Sequence, residues 1–275
     1  MTVVDSLLGH AQVDLALECL GSLLRCSLDP IRLRLRDDGS LTDQDRNRLA
    51  VLGEPEIVDR RTADEQVEPF LRAHPASLGY RRRHPLGMKL FDVALGQTGP
   101  LHFCDTDVLF LRPVEGLFSV VPAGQAVFLQ DVQNAYSLRS WQLLRHRLRI
   151  PERINTGLFS FPRERFDLDL AEWYLSRPEM AFAPVWQEQT AWALQAGGVE
   201  TSVYQPTQFR LAIGPPASAE DSPAGLHFVS PSRRYLPAWR TAGAPNKPVR
   251  AAARTPSRLG PVGLLGTELR RRWDR

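Results

Sequence analysis

The chain reads as an α/β protein: a mainly parallel sheet flanked by helices, with a basic C-terminal extension. Three observations point there. Strand-like and helix-like segments alternate through the first half, the pattern of βαβ units. The most apolar of these strands ends on two closely spaced aspartates, and open α/β sheets bind ligands beyond the carboxyl ends of their strands. Positive charge is concentrated near the C-terminal end.

The elements follow in order. Val3 to Leu7 is a short apolar run, read as the first strand. Val13, Leu17, Leu20 and Leu24 recur at helical spacing, so residues 12–25 predict an amphipathic helix. Ile31-Arg32-Leu33-Arg34-Leu35-Arg36 alternates strictly, the period of a half-buried strand. Asp37-Asp38-Gly39-Ser40 ends it with turn residues. Thr42, followed three residues later by Asp45, caps a helix reaching about Val51. Glu56 to Val58 is a third strand. Helical patterns follow over 64–73 and 86–95, then the strand Leu101-His102-Phe103-Cys104. The second half predicts strands near 126–129, 158–161, 199–204 and 226–229, and helices over 166–176 and 187–196. From about Pro237 the chain is rich in Pro, Gly, Ala and Arg, and a loosely ordered extension is expected. The division is thus 1–240 for the body and 241–275 for a basic tail.

Composition bounds the function. With 275 residues, 43% hydrophobic and 24% charged, the chain is neither fibrous nor disordered. The net charge of +3 is unevenly shared: residues 241–275 hold Lys247 and seven arginines against Glu268 and Asp274, leaving +6 there and −3 on the rest. A mildly acidic body disfavours a nucleic-acid grip, and no nucleic-acid partner is expected. Cys19, Cys26 and Cys104 form no metal-type pair and are expected as reduced thiols, Cys19 and Cys26 as small core residues. No apolar run reaches about 18 residues, and the first residues lack a signal-peptide pattern, so a cytoplasmic protein is expected. Arg81-Arg82-Arg83 reads as a solvated charge run, and Trp173, Trp186 and Trp192 as core.

The most informative stretch is Phe103-Cys104-Asp105-Thr106-Asp107-Val108-Leu109-Phe110. Two carboxylates flank one residue inside apolar sequence. Burying like charges so close is costly without a cation or hydrogen bonds. A divalent-metal site with oxygen ligands answers that cost; a strand-end turn capped by aspartates is the plainer alternative.

In order and spacing, further motifs over residues 1–240 make the chain resemble the metal-dependent glycosyltransferases of the GT-A fold, closest to the retaining lipooligosaccharide galactosyltransferase and glycogenin-like family. Asp105-Thr106-Asp107 matches their DxD motif. Asp38 in the turn after the second strand is similar to a nucleoside contact. Lys89 lies where a basic residue reaches the donor. Asn155-Thr156-Gly157 resembles the Asn-x-Gly segment beside the donor sugar. Glu188-Gln189 resembles the Asp-Gln pair near the reaction centre, with Glu in place of the shorter Asp. His227 resembles the distal histidine ligand. In the motif it opens, Ser230 replaces the family's Gly and Arg233 its Lys.

The resemblance implies the chemistry. A hexose moves from a nucleotide diphosphate sugar, a UDP-sugar first, to a saccharide, lipid-linked or small-molecule acceptor. Asp105, Asp107 and His227 would hold a divalent ion, and a mixed oxygen and imidazole set suits Mn²⁺ better than Mg²⁺. Lys89 and Arg233 would add charge at the phosphates. Glu188 and Gln189 would face the anomeric carbon. Asp131, following an apolar strand, would accept from sugar hydroxyls, with Asn155 and Gly157 beside it. Asp38 and Asp131 also fit plain turn acids, Lys89 a solvated helix face, and His227 a core histidine.

Two other functions fit parts of the sequence. Asp105-Thr106-Asp107-Val108 partly fits the nucleophile motif of haloacid dehalogenase-type phosphatases, with Asp105 as nucleophile. That chemistry needs a later lysine and a second acidic pair, and only Lys247 follows. A non-catalytic nucleotide-sugar or anionic-surface binder is the second. In the tail, Leu264, Leu265, Leu269 and Trp273 among Arg270, Arg271 and Arg272 suggest a basic amphipathic helix at the inner membrane face. Removing 245–275 is expected to spare the body.

Overall fold

A computed structural model of the chain describes residues 1–181, 183–217, 223–242 and 247–266. The first half forms β1 (Thr2–Leu8), α1 (Val13–Cys26), β2 (Ile31–Asp37), α2 (Asp43–Leu49) and β3 (Glu56–Val58), all close to where the sequence places them. The Thr42 hydroxyl accepts from the Asp45 amide while the Asp45 carboxylate accepts from the Thr42 amide, which satisfies two free helix-end donors.

Three helices follow: α3 (Arg60–Leu71), α4 (Pro75–Arg83) and α5 (Pro85–Leu95). A proline opens both α4 and α5, where its missing N–H costs nothing. The sequence pattern showed no α4, because that helix has almost no apolar stripe. Its Arg81 corrects the expectation of a solvated arginine run. The guanidinium is buried, 2.5 Å from Asp92 and 2.6 Å from Asp64, whereas Arg82 and Arg83 are exposed. Alternation likewise makes β2 half-buried, yet Arg36 is wholly buried and donates to Asp5 at 2.6 Å.

The rest of the chain forms β4 (Leu101–Cys104), β5 (Val108–Phe110), β6 (Val114–Glu115), β7 (Ala126–Gln130), α6 (Ser140–Arg145), β8 (Ile154–Phe161), α7 (Leu168–Leu175), α8 (Gln187–Ala196), β9 (Thr201–Tyr204), β10 (Phe209–Leu211), β11 (Gly225–His227), α9 (Leu236–Thr241), β12 (Val249–Arg250) and β13 (Ala253–Arg254). An eight-stranded sheet runs β13-β9-β7-β8-β4-β1-β2-β3. It is mainly parallel: β3, β2, β1 and β4 run together, as do β7 and β9, while β8 and β13 oppose their neighbours. One face packs on α1 through Val4, Leu8, Leu20, Leu33 and Leu35. The other packs on α5 and α8, where Phe159 stacks between Phe103 and Phe128 and meets Trp192. Each such buried aromatic contributes about 1.5–3 kcal/mol.

The segment after residue 246 differs from the expected loose extension. β12 pairs with β6, β13 adds an edge strand beside β9, and Arg258 bridges to Pro151. Leu259 and Leu264 are buried in the main core. Apolar side chains spaced among prolines carry no strand or helix period, so their burial could not be read from the pattern. Residues 261–266 are helical. The rest of the suggested amphipathic helix, including Leu269, Arg270, Arg271, Arg272 and Trp273, lies outside the described residues. Among the described residues no helix is long and apolar enough to cross a membrane.

Candidate active site

Strand direction assembles the site. β1, β2, β4 and β7 all end at one edge of the sheet, and β8, running the other way, begins there. Gly9 and Asp38 therefore follow β1 and β2, Asp105 follows β4, Asp131 follows β7, and Asn155 opens β8. A small sheet, β10-β11-β5, brings the distant histidine across: His227 pairs with Val108, the residue after Asp107. The Phe228 amide donates to the Asp107 carbonyl at 2.8 Å, and the Asp105 amide to the Gly157 carbonyl at 2.7 Å.

Asp105, Asp107 and His227 each offer one ligand atom, and these lie within 4.8 Å of one another. The imidazole orientation follows from its neighbours. The Gly157 amide donates to Asn155 Oδ1 at 2.9 Å, which marks that atom as the amide oxygen. His227 Nδ1, 2.8 Å from the same oxygen, must then carry the hydrogen and donate it. Nε2 is left facing Asp107 Oδ1 at 3.1 Å and Asp105 Oδ2 at 3.8 Å. A ring nitrogen fixed by a hydrogen bond on its far side is how a ligating histidine is held. Gly157 makes room for it, since a Cβ there would lie 2.4 Å from the imidazole. Burial opposes the charge on His227, but the two carboxylates outweigh it and raise its pKa. The pocket thus favours positive charge at Nε2, so the residues present fit a divalent cation.

Two further cations flank the aspartates. Lys89 Nζ on α5 is 2.9 Å from Asp105 and 3.7 Å from Glu188. Burial opposes its charge, yet Asp105 and Glu188 raise its pKa above the ordinary value. Arg233 donates to Asp107 Oδ2 through both Nη2, at 2.7 Å, and Nε, at 3.1 Å. The aspartates differ as a result. Burial pushes the pKa of Asp105 up, more than Lys89 pulls it down. Asp107 is held at about 2, because His227 and Arg233 overcome the same burial.

Behind this corner lies a layer of hydrogen bonds. Asn155 Nδ2 donates to Asp131 Oδ2 at 3.2 Å and to Gln189 Oε1 at 3.3 Å. Gln189 Nε2 donates to the Ala135 carbonyl at 3.0 Å and more weakly to Asp131. Burial raises the pKa of Asp131. The Thr156 hydroxyl donates to Glu188 Oε2 at 2.9 Å. Glu188, on the first turn of α8, is 3% exposed, and its Oε1 accepts no hydrogen bond. Burial pushes its pKa up to about 7.

Two cavities meet at the aspartates. One, of about 230 Å³, runs from Asp105 and Arg233 past Leu86 to Gly9, Gln12 and Asp38. The other, of about 580 Å³, holds Glu188, Gln189, Asp131, Asn155 and His227. All eleven residues singled out in the sequence thus gather at one edge of the sheet, Asp38 at the far end of the smaller cavity. Sequence reasoning missed Thr156, which anchors Glu188, although it sits between Asn155 and Gly157. It missed Gly9, whose absent Cβ would strike the Asp38 carboxylate at 2.2 Å; a glycine closing an apolar strand was the available signal. It also read Trp186 as core. Trp192 is core, but Trp186 lines the larger cavity, because it precedes α8 instead of lying on its buried face.

A central sheet ending in this acidic edge, with the small sheet folded across it, defines the class: the fold is that of the GT-A glycosyltransferases. Among solved structures the chain is similar to the galactosyltransferase LgtC in complex with donor and acceptor sugar analogs. The TM-score is 0.58 at 11% identity, over 87% of this chain and 96% of that one. An active-site mutant of LgtC gives 0.54 at 11%, over 86% and 94%. The apo bifunctional glycosyltransferase WbbM gives 0.52 at 10%, over 84% of this chain and 46% of that one. The sequence matches no protein-family model and no curated protein.

Proposed function

We propose that the protein is a metal-dependent glycosyltransferase that moves a hexose from a nucleotide diphosphate sugar, UDP-linked by first choice, with retention of anomeric configuration. One observation carries the reading: Asp105, Asp107 and His227 converge between two cavities, with Lys89 and Arg233 beside them. The smaller cavity suits the nucleoside diphosphate and the larger suits the sugar and its acceptor. Asp105, Asp107 and His227 would hold the ion, Mn²⁺ before Mg²⁺ by ligand type. Such an ion supplies Lewis-acid stabilisation to a leaving diphosphate.

The chain's own groups do the rest. Arg233 and Lys89 attract the phosphate oxygens. Asp131, Asn155 and Gln189 present a fixed set of donors and acceptors for sugar hydroxyls. Glu188 in its ionised form favours positive charge at the anomeric carbon. As transfer proceeds the acceptor hydroxyl oxygen bonds that carbon and gives up its proton to the departing diphosphate, which leaves with the electron pair of the broken C–O bond. The phosphatase alternative gains no support, because Lys247 lies in neither cavity. The fully assembled acidic corner also speaks against a mere binder.

A screen of nucleotide sugars with and without Mn²⁺, read by thermal shift and by release of nucleoside diphosphate, tests the reading. A metal-dependent shift and donor turnover are expected. Asp107→Ala should reduce turnover at least 1,000-fold, a loss of about 4 kcal/mol of transition-state stabilisation, and should abolish the metal-dependent shift. Undiminished turnover in that variant would overturn the metal assignment. The anomer formed, read by NMR, checks retention.

A further inference from the structure

The floor and the walls of the larger cavity are chemically unlike. On the floor, Asn155, Gln189 and Asp131 are bound to one another and to backbone, Thr156 is bound to Glu188 Oε2, and Lys89 is held by carboxylates. The exception is Glu188 Oε1, buried and without a hydrogen bond, its nearest cation being Lys89 Nζ at 3.7 Å. A buried carboxylate oxygen left in that state costs free energy until a donor arrives. The walls are mainly apolar: Leu86, Val132, Val185, Trp186, Leu211 and Val229. Val132 is 56% exposed and Val185 68%, in a molecule whose other valines and leucines mostly supply core. Gln133, Ser230 and Arg233, which is turned toward Asp107, are polar side chains at the rim.

An oligosaccharide acceptor would bring many hydroxyls against these walls and leave them unpaired, which a site of this kind penalises steeply. An acceptor with one hydroxyl on an apolar body satisfies both parts. Resting on the transferase reading above, we propose that the acceptor is an apolar alcohol, aryl or alkyl, whose hydroxyl donates to Glu188 Oε1 while its body packs against Val132, Val185 and Trp186.

Calorimetric titration of the full chain with 4-alkylphenols, from methyl to butyl, and with maltose tests this. Affinity should rise about four-fold per methylene, near 60-fold across the series, and maltose should bind far more weakly. Val132→Asp with Val185→Asp should flatten the series. Val51→Asp, at an exposed valine outside both cavities, should leave it intact. A flat series, no phenol binding, a series that survives the double variant, or maltose as the tighter ligand would each overturn the proposal. Nucleoside diphosphate release with each acceptor separates this from the transferase reading. A chain-length series without turnover of any donor keeps the apolar subsite and removes the transferase. Turnover onto maltose with a flat phenol series does the reverse.

Discussion

The acidic corner and the floor of the larger cavity lie side by side yet solve opposite problems. In the corner, two aspartates face Lys89, Arg233 and His227, so every carboxylate has a cation close by. On the floor, Asp131 is balanced only by amides, and Glu188 by Thr156 with Lys89 more distant, at 3.7 Å. The difference in ionisation is sharpest between Asp107 and Glu188, since burial raises Asp105 as well. Asp107 is held at about 2 while burial lifts Glu188 to about 7. Charge pairing keeps one carboxylate ionised for a cation, and desolvation leaves the other poised to exchange a proton. Lys89 is the one group that serves both.

Removing Lys89 should therefore break the contrast with the largest effect. Lys89→Met keeps the volume but leaves half-buried Asp105 and buried Glu188 without their shared cation. Loss of one partner of a buried pair costs about 3–5 kcal/mol, so a large drop in Tm is expected in metal-free buffer. Saturating Mn²⁺ should restore part of it, because a cation bound at Asp105 replaces the missing charge. An unchanged Tm would mean that Asp105 is already neutral without Lys89.

A smaller effect separates the two carboxylates by pH. Glu188 in the unfolded chain releases its proton near its ordinary 4.5, but in the folded protein only near 7. Between those values the folded state holds the extra proton, so stability is fully present below about 4.5 and falls as pH rises through 7. The loss is on the order of 3 kcal/mol. Glu188→Gln should flatten that fall, and parallel denaturant titrations at pH 4.5, 6 and 7.5 measure it. Equal slopes in both proteins would place Glu188 in a wetter setting than the structure gives it. If its charge also serves transfer, the same variant should keep nucleoside diphosphate affinity while slowing turnover about 100-fold.

Much of this was legible in the sequence, for identifiable reasons. Helical period and capping give α1 and α2, an apolar run gives β1 and alternation gives β2, although both strands are buried more deeply than alternation implies. Asp105-Thr106-Asp107 stands out because like charges inside apolar sequence need an answer. What the sequence hid depends on pairing across distance. β5 and β11 are three-residue strands, too short for a period, yet they alone bring His227 to Asp107. Arg81 and Arg36 look solvated until Asp92 and Asp5 arrive from other elements. Leu259 and Leu264 sit among prolines and join the core after β13 pairs at the sheet edge and residues 257–259 bond the backbone at 150–152.

The smallest effect tests whether the corner depends on backbone space as well as charge. Gly157 sits on β8 with ordinary strand geometry, so alanine there meets no backbone strain. Its obstacle is the imidazole, 2.4 Å from the new Cβ. His227 is held in place by its bond to Asn155 and by its strand pairing with Val108, so the ring must turn from Asp107 or the strands must part. Overpacking of this sort costs about 1–3 kcal/mol. Gly157→Ala should lower Tm by only a few degrees while weakening Mn²⁺-dependent stabilisation, if the displaced imidazole serves as the ligand proposed above. Glu188 should keep its pH dependence in this variant, because α8 and Thr156 hold it independently of His227. If Mn²⁺ binding survived and the Glu188 profile moved instead, corner and floor would be one coupled unit, and the contrast drawn between them would fail.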